Sequence, residues 1–249
     1  MRSSSQSPLA ARLGPRLAAI AELALPGLPL ADIGTDHGRL PTALVLAGRV
    51  PWAVASDRAA PPLARARATI ARAGAAERVR VRLGEGLATL AAGEVATVVI
   101  AGMGGPTMLA ILAADGERTR GTRRFVLQPN FGHEGLRRGL GGLGLGLVDE
   151  QLVVERGRFY AILVAEPGGV GGELGDLEGL VGPHLLARGG PVLARYLEQE
   201  LRRCEVEAAG LGSATPGRDP GRARALSRRR ELLAEALVKT RGQGHPGRA

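Results

Sequence analysis

ADIGTDHGRLP, residues 31–41, closes a short apolar run and leads straight into a helical pattern. Asp32, Gly34, Asp36 and Gly38 stand at i, i+2, i+4 and i+6. Glycine lets the chain turn sharply and lets a ligand approach where a Cβ would clash. The helix that follows offers unpaired backbone N–H groups. A phosphate-binding loop favours glycine, lysine or bare N–H groups, because phosphate is anionic. Two carboxylates in the loop suit a cationic or neutral ligand instead.

Working outward, short apolar runs alternate with helical stretches over residues 29–166. Strands are expected at 30–33, 53–57, 78–84, 95–103, 123–129, 146–155 and 158–166, and helices at 39–49, 60–74, 87–92 and 105–114. Alternating strands and helices imply a parallel sheet covered on both faces. Arg156 and Gly157 alone join the last two strands, too short a link for a parallel crossover, so these form an antiparallel hairpin. The expectation is an α/β, Rossmann-like, seven-stranded sheet closed by an antiparallel edge strand, the layout of class I methyltransferases.

Upstream, Leu13, Leu17, Ile20, Ala21 and Ala24 follow helical spacing, which predicts a loose tail over 1–7 and an amphipathic helix over about 8–24. Downstream, EPGGVGGELGD (166–176) reads as a linker. Leu193, Leu197, Leu201, Cys204, Ala208 and Leu211 mark one long helix, and Leu226, Leu233 and Leu237 a second. GSATPGRDPG (212–221) separates them with two prolines and three glycines. The domains are therefore a Rossmann-like unit over 8–166 and a helical hairpin with a coiled-coil-like seam over 173–240. The tail RGQGHPGRA reads as frayed.

The 249 residues are 45% hydrophobic but only 2% aromatic, so the core rests on Leu, Val, Ile and Ala. Cys204 is the sole cysteine, which excludes an internal disulfide framework. His37, His133, His184 and His245 are scattered and give no zinc signature, so no metal is expected. No run approaches the ~18 apolar residues of a membrane span. A reducing cytoplasm is expected, and a monomer, with a dimer through the C-terminal helical hairpin as the alternative. The net charge is +9, and Lys239 is the lone lysine. A strongly basic chain suits a polyanionic partner, while scarce aromatics argue against single-strand stacking platforms. Arg12, Arg16, Arg202, Arg203, Arg222, Arg224 and Arg228–Arg230 are candidates for nucleic-acid contact; solubilising charge on exposed helix faces is the alternative.

Ligands in open α/β sheets bind beyond the carboxyl ends of the strands. The first strand runs into Asp32, Gly34, Thr35, Asp36, His37 and Gly38. S-adenosylmethionine (SAM), with its sulfonium and ammonium, is the first candidate for such a loop. The second strand ends at Asp57 and Arg58, where an acid is placed to accept both hydroxyls of a ribose; a helix N-cap is the alternative. Gly84, Glu85 and Gly86 follow the third strand, beside an adenine or as an ordinary turn. The fourth ends at Ala101, Gly102, Met103, Gly104 and Gly105, and three glycines in four positions let donor and acceptor approach bare backbone. Gln128, Pro129 and Asn130 end the fifth, with neutral groups suited to a nucleobase edge. His37 is either a capping histidine or part of the mouth.

GTDHGRLP, IAGMGG, LQPN and GPHLL (182–186), followed by a helical hairpin, resemble the bacterial TrmK family, SAM-dependent tRNA methyltransferases that modify N1 of adenine 22 in the D-loop. The resemblance spans about residues 9–240. It implies that Asp32, Gly34, Asp36, His37 and Gly38 hold the methionine end of SAM, Asp57 the ribose, and Glu85 with Gly86 the adenosine. It implies that Gly102, Met103, Gly104 and Gly105 line the reaction centre, with Gln128, Pro129 and Asn130 near the target base. Two departures stand out. Arg39 follows the His-Gly pair where the family often has an aromatic, and Asp57 replaces the usual Glu. The other readings are a SAM-dependent methyltransferase acting on another RNA, a protein or a small molecule, and a binding protein that keeps the fold. A nicotinamide enzyme fits poorly, since Asp36 stands where a pyrophosphate wants glycine.

Overall fold

The structure is a computed structural model that describes residues 13–114, 116, 119, 121–169, 173–213 and 220–243. The expected N-terminal tail, Arg12, the start of the first expected helix, part of the expected linker, most of the expected hairpin turn and the end of the C-terminal tail lie outside the described residues. The chain divides between Gly172 and Glu173 into two compact units.

In the first unit, α1 (Pro15–Leu23) precedes β1 (Leu30–Ile33), α2 (Arg39–Leu46), β2 (Ala53–Asp57), α3 (Ala60–Arg72) and β3 (Val79–Leu83). Then come β4 (Thr97–Gly104), α4 (Gly105–Ala114), β5 (Arg124–Phe131), α5 (His133–Gly142), β6 (Leu145–Glu155) and β7 (Arg158–Pro167). The sheet order is β3-β2-β1-β4-β5-β7-β6. β1 to β5 pair in parallel, and β7 runs antiparallel to both β5 and β6.

The period of two along each strand sorts side chains to the two faces. Val99, Val126, Ile162 and Val164 pack with Ile20, Leu44 and Ile70 of α1, α2 and α3. Val98, Ile100, Phe125, Leu127 and Leu163 pack with Met108 and Leu112 of α4 and Leu136 and Leu140 of α5. Both layers are almost wholly aliphatic.

Four expectations differ from the structure. The helix expected over about 8–24 is broken at Gly14, which has φ 80°, and α1 starts at Pro15. The antiparallel strand is not at the edge: β7 lies between β5 and β6, and β6 is outermost. Its Ala161–Ala165 run is buried on both faces, as an inner strand requires, whereas β6 keeps partly exposed residues along most of its length. The helix expected at 87–92 is one 3₁₀ turn, Gly86–Thr89. Helix α5 has no counterpart among the expected helices, because Gly135, Gly139, Gly141 and Gly142 dilute its apolar stripe. Gly139 is there for contact, since a Cβ would lie 2.7 Å from Leu109 on α4. The β6–β7 hairpin turns through Arg156 and Gly157, with φ of 50° and 75°, the mirror-image turn that matches strand twist.

The second unit holds α6 (Asp176–Val181), α7 (Pro183–Arg188), α8 (Pro191–Ser213) and α9 (Pro220–Gln243). Gly182, at φ 114°, is the single residue between α6 and α7, so GPHLL marks a sharp corner. Long helices α8 and α9 pack on each other through Leu193, Leu197 and Cys204 on one side and Leu226, Leu233 and Ala236 on the other. The seam departs from expectation at Leu201, Ala208 and Leu237, and at Glu200; Leu237 is only half-buried. Leu201 is only half-buried and Ala208 is exposed. Glu200 is buried in the seam, where it accepts from Arg203 at 2.7 Å and from Arg229 across the hairpin at 3.0 Å. Among the described residues no helix is long and apolar enough to cross a membrane.

Candidate active site

The ends of β1, β2, β3, β4 and β5 border one cavity of about 830 Å³, within the range of small-molecule sites. Asp32, Gly34, Thr35, Asp36 and His37 line it from the first loop, Asp57 and Arg58 from the second, and Gly84, Glu85 and Gly86 from the third. Ala101, Gly102, Met103 and Gly104 line it from β4, and Phe131 from the end of β5. Arg16 of α1 and Arg39 of α2 complete its charged wall, so four carboxylates face three guanidinium groups.

Asp32 is the buried acid of the set. Its Oδ2 accepts from the Thr35 hydroxyl at 2.6 Å. Burial pushes its carboxyl up to about 6; Thr35 and Arg16 pull it down, and the charge of Asp57 adds to the rise. The turn after it is fixed by backbone, since the N–H groups of Gly34 and Thr35 both donate to the Ser56 carbonyl, at 2.8 and 2.9 Å. Asp36 takes the left-handed conformation, φ 49°, uncommon outside glycine. Its side chain is 57% exposed, pairing with Arg65 at 2.6 Å and lying 3.3 Å from Nε2 of His37.

Asp57 is not the N-cap of α3, which is Ala59, but its side chain ties down the turn before that helix. Its Oδ1 accepts from the Ala59 N–H at 2.9 Å at the start of α3. Oδ2 has no protein partner among the described residues and stays available to a ligand. The Gly84 N–H donates to the Asp57 carbonyl at 3.0 Å, which ties the second and third loops together. Gly86, at φ 50°, starts the 3₁₀ turn and leaves Glu85 exposed at the rim.

β4 is irregular on either side of Met103, and Gly102 drops out of the ladder with φ 80°. Such a bulge re-aims the backbone beside a site. The Gly102 carbonyl accepts from the Asn130 side-chain amide at 2.7 Å. Asn130 in turn accepts from Gln128 Nε2 at 3.3 Å, and Gln128 Oε1 accepts from Arg16 at 2.5 Å.

Five expected site residues do not line the cavity. Gly38 caps α2 at φ 63°, and a Cβ there would press on Ala66 and Ile70 of α3, so its glycine serves helix packing. Gly105 sits so close to Gly132 that a Cβ would strike the Gly132 carbonyl. Gln128 is fully buried, and Pro129 is buried beside it. Asn130 is exposed but turned to the Gly102 carbonyl. Thr107 and Ile111 of α4 and Phe131 at the end of β5 also line the cavity, though none belongs to an expected site loop, and Phe131 is the aromatic among them. Its proximity to LQPN in a chain with three phenylalanines was the available signal. Among the described residues no cluster of three His, Cys, Asp or Glu side chains could hold a metal.

A family model described as "Methyltransferase domain" matches residues 13–163. The tRNA (adenine(22)-N(1))-methyltransferase of Bacillus subtilis strain 168 is 32% identical over 234 residues, covering 91% of this chain and 97% of the relative. The chain belongs to the TrmK family of methyltransferases. The crystal structure of the B. subtilis tRNA methyltransferase TrmK superposes with a TM-score of 0.80 at 32% identity, over 89% of this chain and 97% of that one. A Streptococcus pneumoniae protein crystallised with S-adenosyl-L-methionine matches with a TM-score of 0.80 at 30% identity, over 89% of this chain and 98% of that one.

The cavity fits the cofactor of a TrmK-type enzyme by its donor set. Carboxylates end β1 and β2 and follow β3, and the chain's lone lysine, Lys239, lies outside the cavity, so the acidic groups suit hydroxyls, an exocyclic amine and an ammonium. Arg39, where the family often has an aromatic, does line the cavity.

Proposed function

We propose that this TrmK-family chain methylates N1 of adenine 22 in the D-loop of tRNA, using SAM. The observation that carries the reading is one cavity in which acids at the ends of β1, β2 and β3 face the bare backbone of the β4 bulge. When bound, SAM supplies an electrophilic methyl group. Asp57 accepts from the ribose hydroxyls, Glu85 with Gly86 from the adenosine, and Asp32 with the Gly34–His37 loop holds the methionine end. Gly102 leaves open space for the acceptor, Met103 and Gly104 border it, and Gln128, Pro129 and Asn130 support the strand end beside it.

Adenine N1 has a free lone pair in the neutral base, so the chain needs no general base before transfer. Its work is alignment and exclusion of water, together with holding the base outside its stack. The base gains a positive charge, which a buried carboxylate eases. Asp32 fits that role better than Asp36, whose charge is already paired with Arg65 in solvent.

Residues 8–166 carry the chemistry and 173–240 contribute basic surface for tRNA. A monomer and a cytoplasmic location belong to the same reading; a tRNA substrate supports the second.

The test is methyl transfer from labelled SAM into tRNA from cells lacking the enzyme, followed by nucleoside analysis. Labelled 1-methyladenosine is the expected product. SAM binding with no labelled nucleoside would move the acceptor to another RNA, a protein or a small molecule. Asp57→Ala is expected to abolish SAM binding; unchanged affinity would overturn its role.

A further inference from the structure

Phe131 is an apolar side chain that the fold leaves 63% exposed. It stands in a chain whose aromatic content is 2%, and it alone of the Phe, Tyr and Trp side chains lines the cavity. Its position is fixed from below. Phe131 pairs with Gly104 across β4 and β5, and a Cβ on Gly104 would meet the Phe131 ring. The missing side chain at 104 is therefore the seat of the ring. One side of the ring rests on glycine backbone and much of the rest is left to solvent. A large apolar surface kept exposed over a cavity, with a seat made for it, calls for a planar partner.

Sheet order says which planar group that is. β2 and β3 lie on one side of β1, and β4 and β5 on the other. The acids proposed for the ribose and adenine of SAM, Asp57 and Glu85, follow β2 and β3, whereas Phe131 ends β5. The cofactor's own adenine is thus assigned to the far end of the cavity, and the ring stands beside the Gly102–Gly104 bulge where the acceptor is to react.

We propose that Phe131 is the stacking platform for the acceptor adenine once it has left the D-loop stack. The assignment deepens the proposed function and rests on it. It also accounts for Asn130, whose amide is turned to the Gly102 carbonyl and to Gln128, bracing the strand end that carries the ring. Arg39 in place of an aromatic is no obstacle, because the platform lies on the other side of the cavity, at the end of β5.

The experiment compares the full-length wild-type chain with Phe131→Ala, Phe131→Leu and Phe131→Trp. Base–aromatic stacking predicts that Phe131→Ala loses about tenfold to a hundredfold in kcat/KM for tRNA. Phe131→Leu, which still covers Gly104 but has no π-face, should lose nearly as much, and Phe131→Trp should stay near wild type. SAM affinity, measured by calorimetry, should be unchanged in all three. A tRNA carrying 2-aminopurine at the acceptor position adds a readout that a purely structural role would not move. Its fluorescence should change on binding to wild type, as the base leaves the D-loop stack, and should change less on binding to Phe131→Ala. Equal kcat/KM for wild type and Phe131→Leu, or equal fluorescence with wild type and Phe131→Ala, overturns the assignment while leaving the proposed function intact. A wild-type chain that binds SAM and labels no tRNA overturns the proposed function, and the platform with it.

Discussion

The guanidinium of Arg16 on α1 donates to the side-chain oxygen of Gln128 on β5, two residues 112 positions apart in the chain. Arg16 also lies 5.3 Å from the Tyr160 ring centroid and 4.0 Å from Glu155. The helix before the sheet is thus fastened to the strand end that bears Asn130 and Phe131. Gln128 is fully buried, so its side-chain oxygen depends on Arg16 for a charged partner. Arg16→Ala should destabilise the chain by about 1–3 kcal/mol, a fall in Tm of roughly 2–4 °C for each kcal/mol at this chain length. Arg16→Ala with Gln128→Leu should lose less than the sum of the single changes. Strictly additive losses in urea unfolding would show that the two residues are not coupled.

Asp32 supplies a pH prediction. Its folded-state value of about 6 lies above the 3.8 of a free side chain. The folded chain therefore keeps a proton that the unfolded chain has released between those values. Stability is highest at the acid end of that window and falls as pH rises through it, by about 3 kcal/mol in all. Ligand binding runs the other way. A cationic ligand favours the charged carboxylate, so SAM affinity should rise as pH increases through about 6, with proton release on binding. Arg16 and Asp57 are the charges that act on Asp32, and both remain in Asp32→Asn. That variant should bind more weakly at pH 7 and lose the Asp32 step in its pH profile. His37 is present in both proteins, so the difference between the profiles isolates Asp32. Calorimetry from pH 5 to 8 decides it, and identical profiles would remove Asp32 from the binding site.

Two glycines of IAGMGG should respond to alanine for opposite reasons. Gly102 has open space around its missing Cβ but a φ of 80°, so Gly102→Ala meets only backbone strain, about 1–2 kcal/mol. Gly105 has no such φ, yet a Cβ there would strike the Gly132 carbonyl and crowd Leu136. Backbone cannot rotate away as a side-chain tip can, so Gly105→Ala should be the more destabilising, at or above the ~1–3 kcal/mol usual for overpacking. Thermal unfolding ranks the two. The reverse order would mean that the α4–α5 approach is looser than described.

The strands and the first loop were legible because short apolar runs separated by helical stretches, and a strand-end acid with glycines, have few other uses. What was not legible depended on neighbours. Both β6 and β7 read as apolar strands, and only pairing shows that β7 is the inner one. Gly38, Gly104 and Gly105 look alike in sequence, yet one caps a helix beside α3, one seats the Phe131 ring and one meets the Gly132 backbone. Glu200 hid in the hairpin seam because a charge there makes sense only with Arg229 opposite. Phe131 was invisible for the same reason, since exposure is a property of the fold.

The arginines of the hairpin divide by their partners, and the division predicts how tRNA affinity responds to mutation. Arg222 pairs with Glu207 at 2.7 Å, Arg228 with Asp176 at 3.1 Å, Arg229 with Glu200 at 3.0 Å and Arg241 with Glu198 at 2.7 Å. Arg202, Arg224 and Arg230 are exposed and have no ion pair among the described residues. A guanidinium already paired with a carboxylate gains less from a phosphate than one held only by water. Each phosphate contact contributes close to one unit to the slope of log affinity against log salt. Replacing Arg202, Arg224 and Arg230 together with Gln should flatten that slope by up to about three units, leaving Tm and SAM affinity unchanged. The same change at Arg222, Arg228 and Arg241 should flatten it less. Filter binding of tRNA between about 50 and 200 mM salt distinguishes the two sets. An unaltered slope for the first set would make those side chains solubilising charge and move the tRNA contacts elsewhere.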